Sequence, residues 1–152
     1  MSFLITLSVR LVRVTIINFM STYLSVSKYV AYYMHLDRVR VVNLLRYTYK
    51  GKSIVYALRC RSTGQMYIGS TTLSTLRFHN HLVTGENSNS NLQVAISRHG
   101  LSNFVAYILE VVPMSPHLSY SQQMVLLHQA EQAHINRYPK SQLYNSISAS
   151  AN

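Results

Sequence analysis

Acidic residues are scarce in this chain. Four carboxylates, Asp37, Glu86, Glu110 and Glu131, stand against 14 Lys and Arg in 152 residues, a formal net charge of +10 at pH 7. That balance points to polyanionic partners, either nucleic acid or an anionic membrane surface. Cysteine occurs once, as Cys60, which excludes a disulfide framework and a cysteine zinc site. Long apolar runs are missing as well. Within residues 1–36 the longest charge-free stretch, Val14 to Ser27, is shorter than the ~20 residues a membrane-crossing helix needs, and Arg10, Arg13 and Lys28 bracket it. Only three prolines occur, Pro113, Pro116 and Pro139, all in the last third of the chain. No internal repeat is present.

Apolar residues are plentiful, 48% of the chain, enough to build a core. The length fits one domain, or one small domain with an arm. Charge divides it in that way. Residues 1–53 hold eight Lys and Arg and one acid, a net of +7, whereas residues 54–152 hold six against three, a net of +3. Three regions are expected: a basic, apolar N-terminal arm over 1–52, a domain over 53–146, and a short tail over 147–152. Residues 1–36 are apolar, hydroxylated and poor in acid, a composition that suits an organellar targeting segment. A secretory signal, an extension without its own fold, and a membrane contact stay open as alternatives. Residues 37–52, DRVRVVNLLRYTYKGK, read as a basic linker able to lie on a phosphate backbone.

Within the domain, Ile54, Tyr56 and Leu58 alternate with Ser53, Val55, Ala57 and Arg59, the period of a pleated strand. Gly64 supplies positive φ in a hairpin loop, and Met66 to Ser70 forms the return strand. The hydroxyls of Thr71, Thr72 and Ser74 suit a helix start, with Leu73, Leu76 and Phe78 as its anchors. Arg77 and His81, four apart, share one helix face. Thr84 to Ser90 is a polar loop. Asn91 to His99 is a second helix with Leu92, Ala95 and Ile96 inward and Gly100 as its C-terminal cap. Phe104 to Val112 is a third strand. Ser119 and Gln122 have capping-box spacing for a long helix that runs to about Tyr138. Its apolar face is expected to hold Val125, Leu126, Ala130, Ala133 and Ile135.

A basic chain facing nucleic acid raises the question of phosphodiester chemistry. That reaction needs an activated water, a charge complement for the transition state and usually a divalent ion on a hard oxygen. Glu131, Glu110 and Glu86 are the domain's carboxylates. One or two suffice for magnesium, because water and phosphate oxygens fill the other positions. Arg77 could grip a phosphate with two parallel bonds. Tyr56 either takes a proton from water, which requires a lowered pKa, or orients that water. His81 can carry a proton near neutrality. His79 and His81 point about 200° apart on a helix, so they do not share a metal. The other histidines read as surface residues.

Taken together, residues 53–146 resemble the GIY-YIG nuclease family, specifically the nuclease domain of its intron-encoded homing endonucleases. Tyr67-Ile68-Gly69 matches the second half of the naming motif letter for letter. Ile54-Val55-Tyr56 keeps the tyrosine of the first half and puts isoleucine where the family has glycine. Arg77 and His81 follow, then Asn89 to Phe104, NSNLQVAISRHGLSNF, and Ile108-Leu109-Glu110. Glu131-Gln132 and Tyr144-Asn145 complete the set. The resemblance implies a small α/β fold, a three-stranded antiparallel sheet flanked by helices in the order ββααβα. It implies hydrolysis of DNA with one divalent cation, Mg2+ or Mn2+, and no small-molecule cofactor. Glu131 would ligate the metal, Tyr56 would act as general base or water-orienting group, and Arg77 would stabilise phosphate charge. Tyr67 and His81 would assist, Asn145 would hydrogen-bond near the site, and Gly69 would allow close backbone approach.

Two departures qualify that picture. Ile54 adds a branched side chain beside the first tyrosine. Homing members also carry a DNA-binding region after the nuclease domain. Here seven residues follow Asn145, so DNA selection is expected to rest on the arm or another chain, or to be absent. The alternatives are a catalytically degenerate remnant of such a nuclease, and a basic nucleic-acid- or membrane-associated protein. The intron-type resemblance and the acid-poor composition favour a mitochondrion. Another organelle, or the cytoplasm of a phage or viral host, is the alternative.

Overall fold

A computed structural model describes residues 28–145. The charge-free run Val14 to Ser27 and the 147–152 tail lie outside the described residues. Four strands form one antiparallel sheet: β1 (Ala31–Tyr33), β2 (Ser53–Cys60), β3 (Met66–Thr71) and β4 (Phe104–Val112). Their order across the sheet is β1-β4-β2-β3. The helices are α1 (Val39–Thr48), α2 (Ser74–His79), α3 (Ser90–His99) and α4 (Tyr120–Ile135). A wide π-helical turn, Asn80–Thr84, continues α2. The chain is thus α/β, as expected, but the sheet has four strands rather than three and the order is βαββααβα rather than ββααβα. The two additional elements come from residues read as arm and linker. β1 pairs with β4, Tyr32 opposite Tyr107. α1 buries Val42 and Leu45, three apart on one face, and Leu36 and Tyr49 beside it join the same core.

β2 forms where the alternation places a strand, and it is buried on both faces. All eight of its residues are buried, because β3 and β4 flank it and helices cover both faces. Alternation here sorts side chains between two cores. Ile54, Tyr56, Leu58 and Cys60 join Phe78, Leu92 and Phe104 on one face. Val55 and Ala57 join Met66, Ile68, Tyr107 and Leu127 on the other. Each fully buried Leu or Ile contributes about 1.5–3 kcal/mol of transfer free energy. Ile54, the branched residue at the motif's glycine position, is one of these and packs without exposure.

The β2–β3 hairpin turns on Gly64, whose φ is +76°, and whose N–H donates to the Cys60 carbonyl at 2.9 Å. β4 carries one extra residue, Leu109, opposite the Val55–Tyr56 step, since Val55 pairs with Glu110 and Tyr56 with Ile108. A bulge of this kind increases twist locally, and it lies beside Tyr56. Asn89 caps α3 by accepting from the Leu92 N–H at 2.9 Å, and Gly100, φ +79°, ends it.

Two helix faces differ from expectation. Phe78 anchors α2, but Leu73 and Leu76 are 60% and 54% exposed, because the helix makes contact through Ser74 and Phe78 instead. The capping box of Ser119 and Gln122 forms as expected. The inward face of α4 is Leu127 with Met124, Ala130 and Ile135, while Val125, Leu126 and Ala133 face outward. Among the described residues, no helix is long and apolar enough to cross a membrane.

Candidate active site

β3 is an outer strand of the sheet, and four consecutive residues of it position the site. Gly69 lies opposite Tyr56 in the hairpin register. A Cβ on Gly69 would stand 2.7 Å from the Tyr56 phenol oxygen and 2.8 Å from Cε1 of Tyr67. Both rings therefore need glycine beneath them. Their centroids are 6.2 Å apart, and Phe78 supports the Tyr56 ring edge-on at 4.8 Å.

Arg77 binds both phenols. Its Nε donates to the Tyr56 oxygen at 3.2 Å and its Nη2 to the Tyr67 oxygen at 3.1 Å. Its Nη1 donates to the Asn87 carbonyl at 2.9 Å. Asn87 holds that carbonyl with a positive φ of 51°. His81 comes from the π-helical turn, a local widening that is frequent at functional sites. Its Nε2 is 2.7 Å from the Tyr56 oxygen. Arginine can only donate, so the Tyr56 oxygen accepts from Arg77, and its O–H is left to donate to His81 Nε2 in the tautomer that keeps that nitrogen bare. A buried phenol hydrogen with no acceptor would cost about 1–3 kcal/mol.

Burial decides the protonation states. Tyr56 and His81 are essentially solvent-free, at 0% and 1% exposure. Burial raises the Tyr56 pKa well above 10, the neighbouring Tyr67 adds to that, and Arg77 opposes it. Burial, followed by the positive charge of Arg77, lowers His81 to about 3. At neutral pH the phenol keeps its proton and the imidazole is neutral, so burial gives neither the lowered Tyr56 pKa nor the near-neutral His81 titration expected from the sequence.

Glu131 lies on α4, which packs on the opposite face of the sheet, next to Leu127. Its carboxylate reaches the β3 edge and accepts a hydrogen bond from the Ser70 hydroxyl. It is near enough for its charge to act on the Tyr56 phenol. Asn145 binds the backbone of Ile68 from both sides of its amide. Its Nδ2 donates to the Ile68 carbonyl at 2.7 Å and its Oδ1 accepts from the Ile68 N–H at 3.0 Å. With Leu143 bridged to Met66, this covers part of the outer edge of β3.

The structure thus joins Tyr56, Tyr67, Arg77 and His81 in one hydrogen-bonded network. Glu131 and Asn145 connect to the same four-residue stretch through Ser70 and Ile68. The other two carboxylates lie elsewhere. Glu110 accepts from His134 at 2.9 Å, and Glu86 is exposed in the loop after the turn. His134 is buried, not a surface histidine as expected. Among the described residues, no cluster of three or more His, Cys, Asp or Glu could hold a metal.

Three residues of the network were not legible in the sequence. Ser88 Oγ lies 2.6 Å from His81 Nδ1. Gln93 Nε2 donates to Ser88 Oγ at 2.8 Å and to the His81 carbonyl at 2.9 Å. Ser70 is the third. A serine in the polar loop Thr84 to Ser90 carries no periodic signal, and only the fold back of α3 onto the turn reveals it.

No family model matches the chain, and neither a curated protein nor a solved structure matches it.

Proposed function

We propose that this chain is a DNA endonuclease of the GIY-YIG type, hydrolysing phosphodiester bonds with one divalent cation. The observation that carries this reading is the convergence on Tyr67-Ile68-Gly69-Ser70. Two phenols, a guanidinium, an imidazole, a carboxylate and a carboxamide all bond to that stretch or to each other. Phosphodiester hydrolysis uses this set of groups. Ile54 does not disturb it, since the side chain packs into the core and leaves Tyr56 seated against Gly69.

The geometry supports a role for each residue. Arg77 is half-exposed and binds a phosphate oxygen, releasing part of its hold on the phenols. That movement opens the otherwise solvent-free Tyr56 oxygen, which then accepts a hydrogen bond from the attacking water. As the new P–O bond forms and the bond from phosphorus to the leaving ester oxygen breaks, that water gives its proton to Tyr56, Tyr56 passes its own proton to His81 Nε2, and the leaving oxygen takes a proton from solvent. Burial and the charge of Arg77 make that imidazole a weak base, with a pKa of about 3, so it takes the proton only while the phosphate neutralises Arg77. A phosphate paired with Arg77 offsets the positive charge that helps hold the His81 pKa down. Tyr67 keeps Arg77 in place, and Asn145 holds the strand. Glu131 offers a half-exposed hard oxygen beside the Ser70 hydroxyl, a donor set suited to magnesium or manganese with water and phosphate oxygens completing the shell. When bound there, the ion supplies Lewis-acid stabilisation of charge on the phosphate and the leaving oxygen.

A catalytically silent remnant is the second reading, favoured by one observation. Nε, Nη1 and Nη2 of Arg77 all donate within the protein, which closes the guanidinium over Tyr56. Incubating the full chain with supercoiled plasmid in magnesium or in EDTA separates the two. Nicked or linear product in magnesium alone supports the nuclease. Intact plasmid with a folded protein across several divalent ions supports the remnant.

A further inference from the structure

We infer that Ser88 and Gln93 are positioning residues that fix the tautomer of His81, so that its Nε2 faces Tyr56 as a proton acceptor. This rests on the nuclease reading for its consequence, but its geometry stands independently. Tyr56 is fully buried and its oxygen already accepts from Arg77, so its O–H needs an acceptor, and His81 Nε2 at 2.7 Å is that acceptor. The neutral ring then carries its hydrogen on Nδ1. Ser88 Oγ, at 2.6 Å, accepts it.

The opposite tautomer also satisfies both ring nitrogens, with Nε2–H donating to Tyr56 and Ser88 donating to Nδ1. It would leave the phenol hydrogen of a fully buried Tyr56 without its acceptor. The Nδ1–H tautomer leaves only the Ser88 hydroxyl hydrogen over, and Ser88 is only partly buried, so water can take it. Gln93 reinforces the choice. Its amide donates to Ser88 Oγ and to the His81 backbone carbonyl, fixing the hydroxyl against the turn that carries the ring. Ser88 Oγ then accepts from two donors, which uses both lone pairs and directs its own hydrogen away from His81. The arrangement matches the way a second hydrogen bond sets which imidazole nitrogen is free to react.

The test is 15N–1H correlation of the imidazole nitrogens in the full chain at neutral pH, with His81→Gln used to assign the signals. The wild type is expected to show His81 as the Nδ1–H tautomer. Ser88→Ala should raise the Nε2–H population several-fold, and Ser88→Thr, which keeps the hydroxyl, should restore the wild-type spectrum. Gln93→Ala should shift the same signals in the same direction, and it serves as the test if Ser88→Ala does not fold. A wild-type ring protonated on Nε2, or an unchanged Nδ1–H signal in folded Ser88→Ala and Gln93→Ala, overturns the inference. Plasmid cleavage is read separately. If the wild type cuts, Ser88→Ala should lower kcat about tenfold with KM little changed, and Ser88→Thr should recover it. If the wild type does not cut, the nuclease reading fails while the tautomer result is decided by the spectra alone.

Discussion

Gly69 and Tyr56 lie directly opposite each other across the β2–β3 hairpin, and the phenol ring covers the place a side chain would take. An added Cβ would sit 2.7 Å from the phenol oxygen and 2.9 Å from Cζ. Gly69→Ala should therefore displace both tyrosine rings, cost about 1–3 kcal/mol of stability and lower cleavage sharply. Chemical denaturation and plasmid nicking read the two effects. Wild-type stability in the alanine variant would show that the rings move aside freely.

Tyr56→Phe removes one oxygen that bonds both Arg77 and His81 while keeping the ring against Phe78. It should cost about 1–2 kcal/mol in stability and 10²-fold or more in cleavage rate. Tyr120→Phe is the control, since Tyr120 is 70% exposed at the start of α4. Equal losses in the two variants would remove Tyr56 from the mechanism.

Arg77→Ala should raise the barrier by about 3 kcal/mol, roughly a hundredfold in rate. Arg77→Lys should recover little, because a single ammonium cannot bond Tyr56, Tyr67 and Asn87 together. Full activity in the lysine variant would mean that only the charge matters.

Stability should fall on acidification through His81. Its folded pKa, about 3, is lowered from an ordinary 6.5. Between those values the unfolded chain binds a proton that the folded chain does not. Stability from this group is thus complete above pH 6.5 and declines as pH falls towards 3, by about 1.4 kcal/mol per pH unit at most. Urea unfolding at a series of pH values checks this, with His81→Gln expected to flatten the slope in that window. An unchanged slope would show that His81 does not titrate so low.

Parts of this fold were legible because local rules decided them. The hairpin around Gly64, the caps at Asn89 and Ser119, and the strand Phe104–Val112 follow from turn chemistry, capping and β-rich runs. Tyr56, Tyr67, Arg77 and His81 also came from local pattern, and the fold brings them into one network. What escaped depends on distant contacts. Val42 and Leu45 are three apart, but two apolar positions within the basic stretch 37–52 do not distinguish a buried helix face from a linker until the sheet is there to cover. β1 is only three residues long and makes sense only beside Tyr107. Val125 and Leu126 are as apolar as Leu127, and only the helix phase set by packing on the sheet turns Leu127 inward instead.

That packing yields a further prediction. Deleting residues 1–52 removes Leu36, Val42, Leu45 and Tyr49 from the core. Large buried side chains are each worth about 2–5 kcal/mol, against a total stability of roughly 5–15 kcal/mol for a domain. The shortened chain should not fold, as circular dichroism and denaturation would show. A cooperative, native-like transition in it would mean that α1 is dispensable.

The central claim is that Glu131, held at the β3 edge by Ser70, supports metal-dependent cleavage of DNA. The most direct measurement is single-turnover cleavage of supercoiled plasmid by the full chain and by Glu131→Ala, each with magnesium and with EDTA, with DNA binding followed by fluorescence anisotropy. The account predicts cleavage by the wild type in magnesium alone, none by Glu131→Ala, and similar DNA affinity for the two proteins. Equal cleavage by both proteins, or none by folded wild type in any divalent ion, would contradict it.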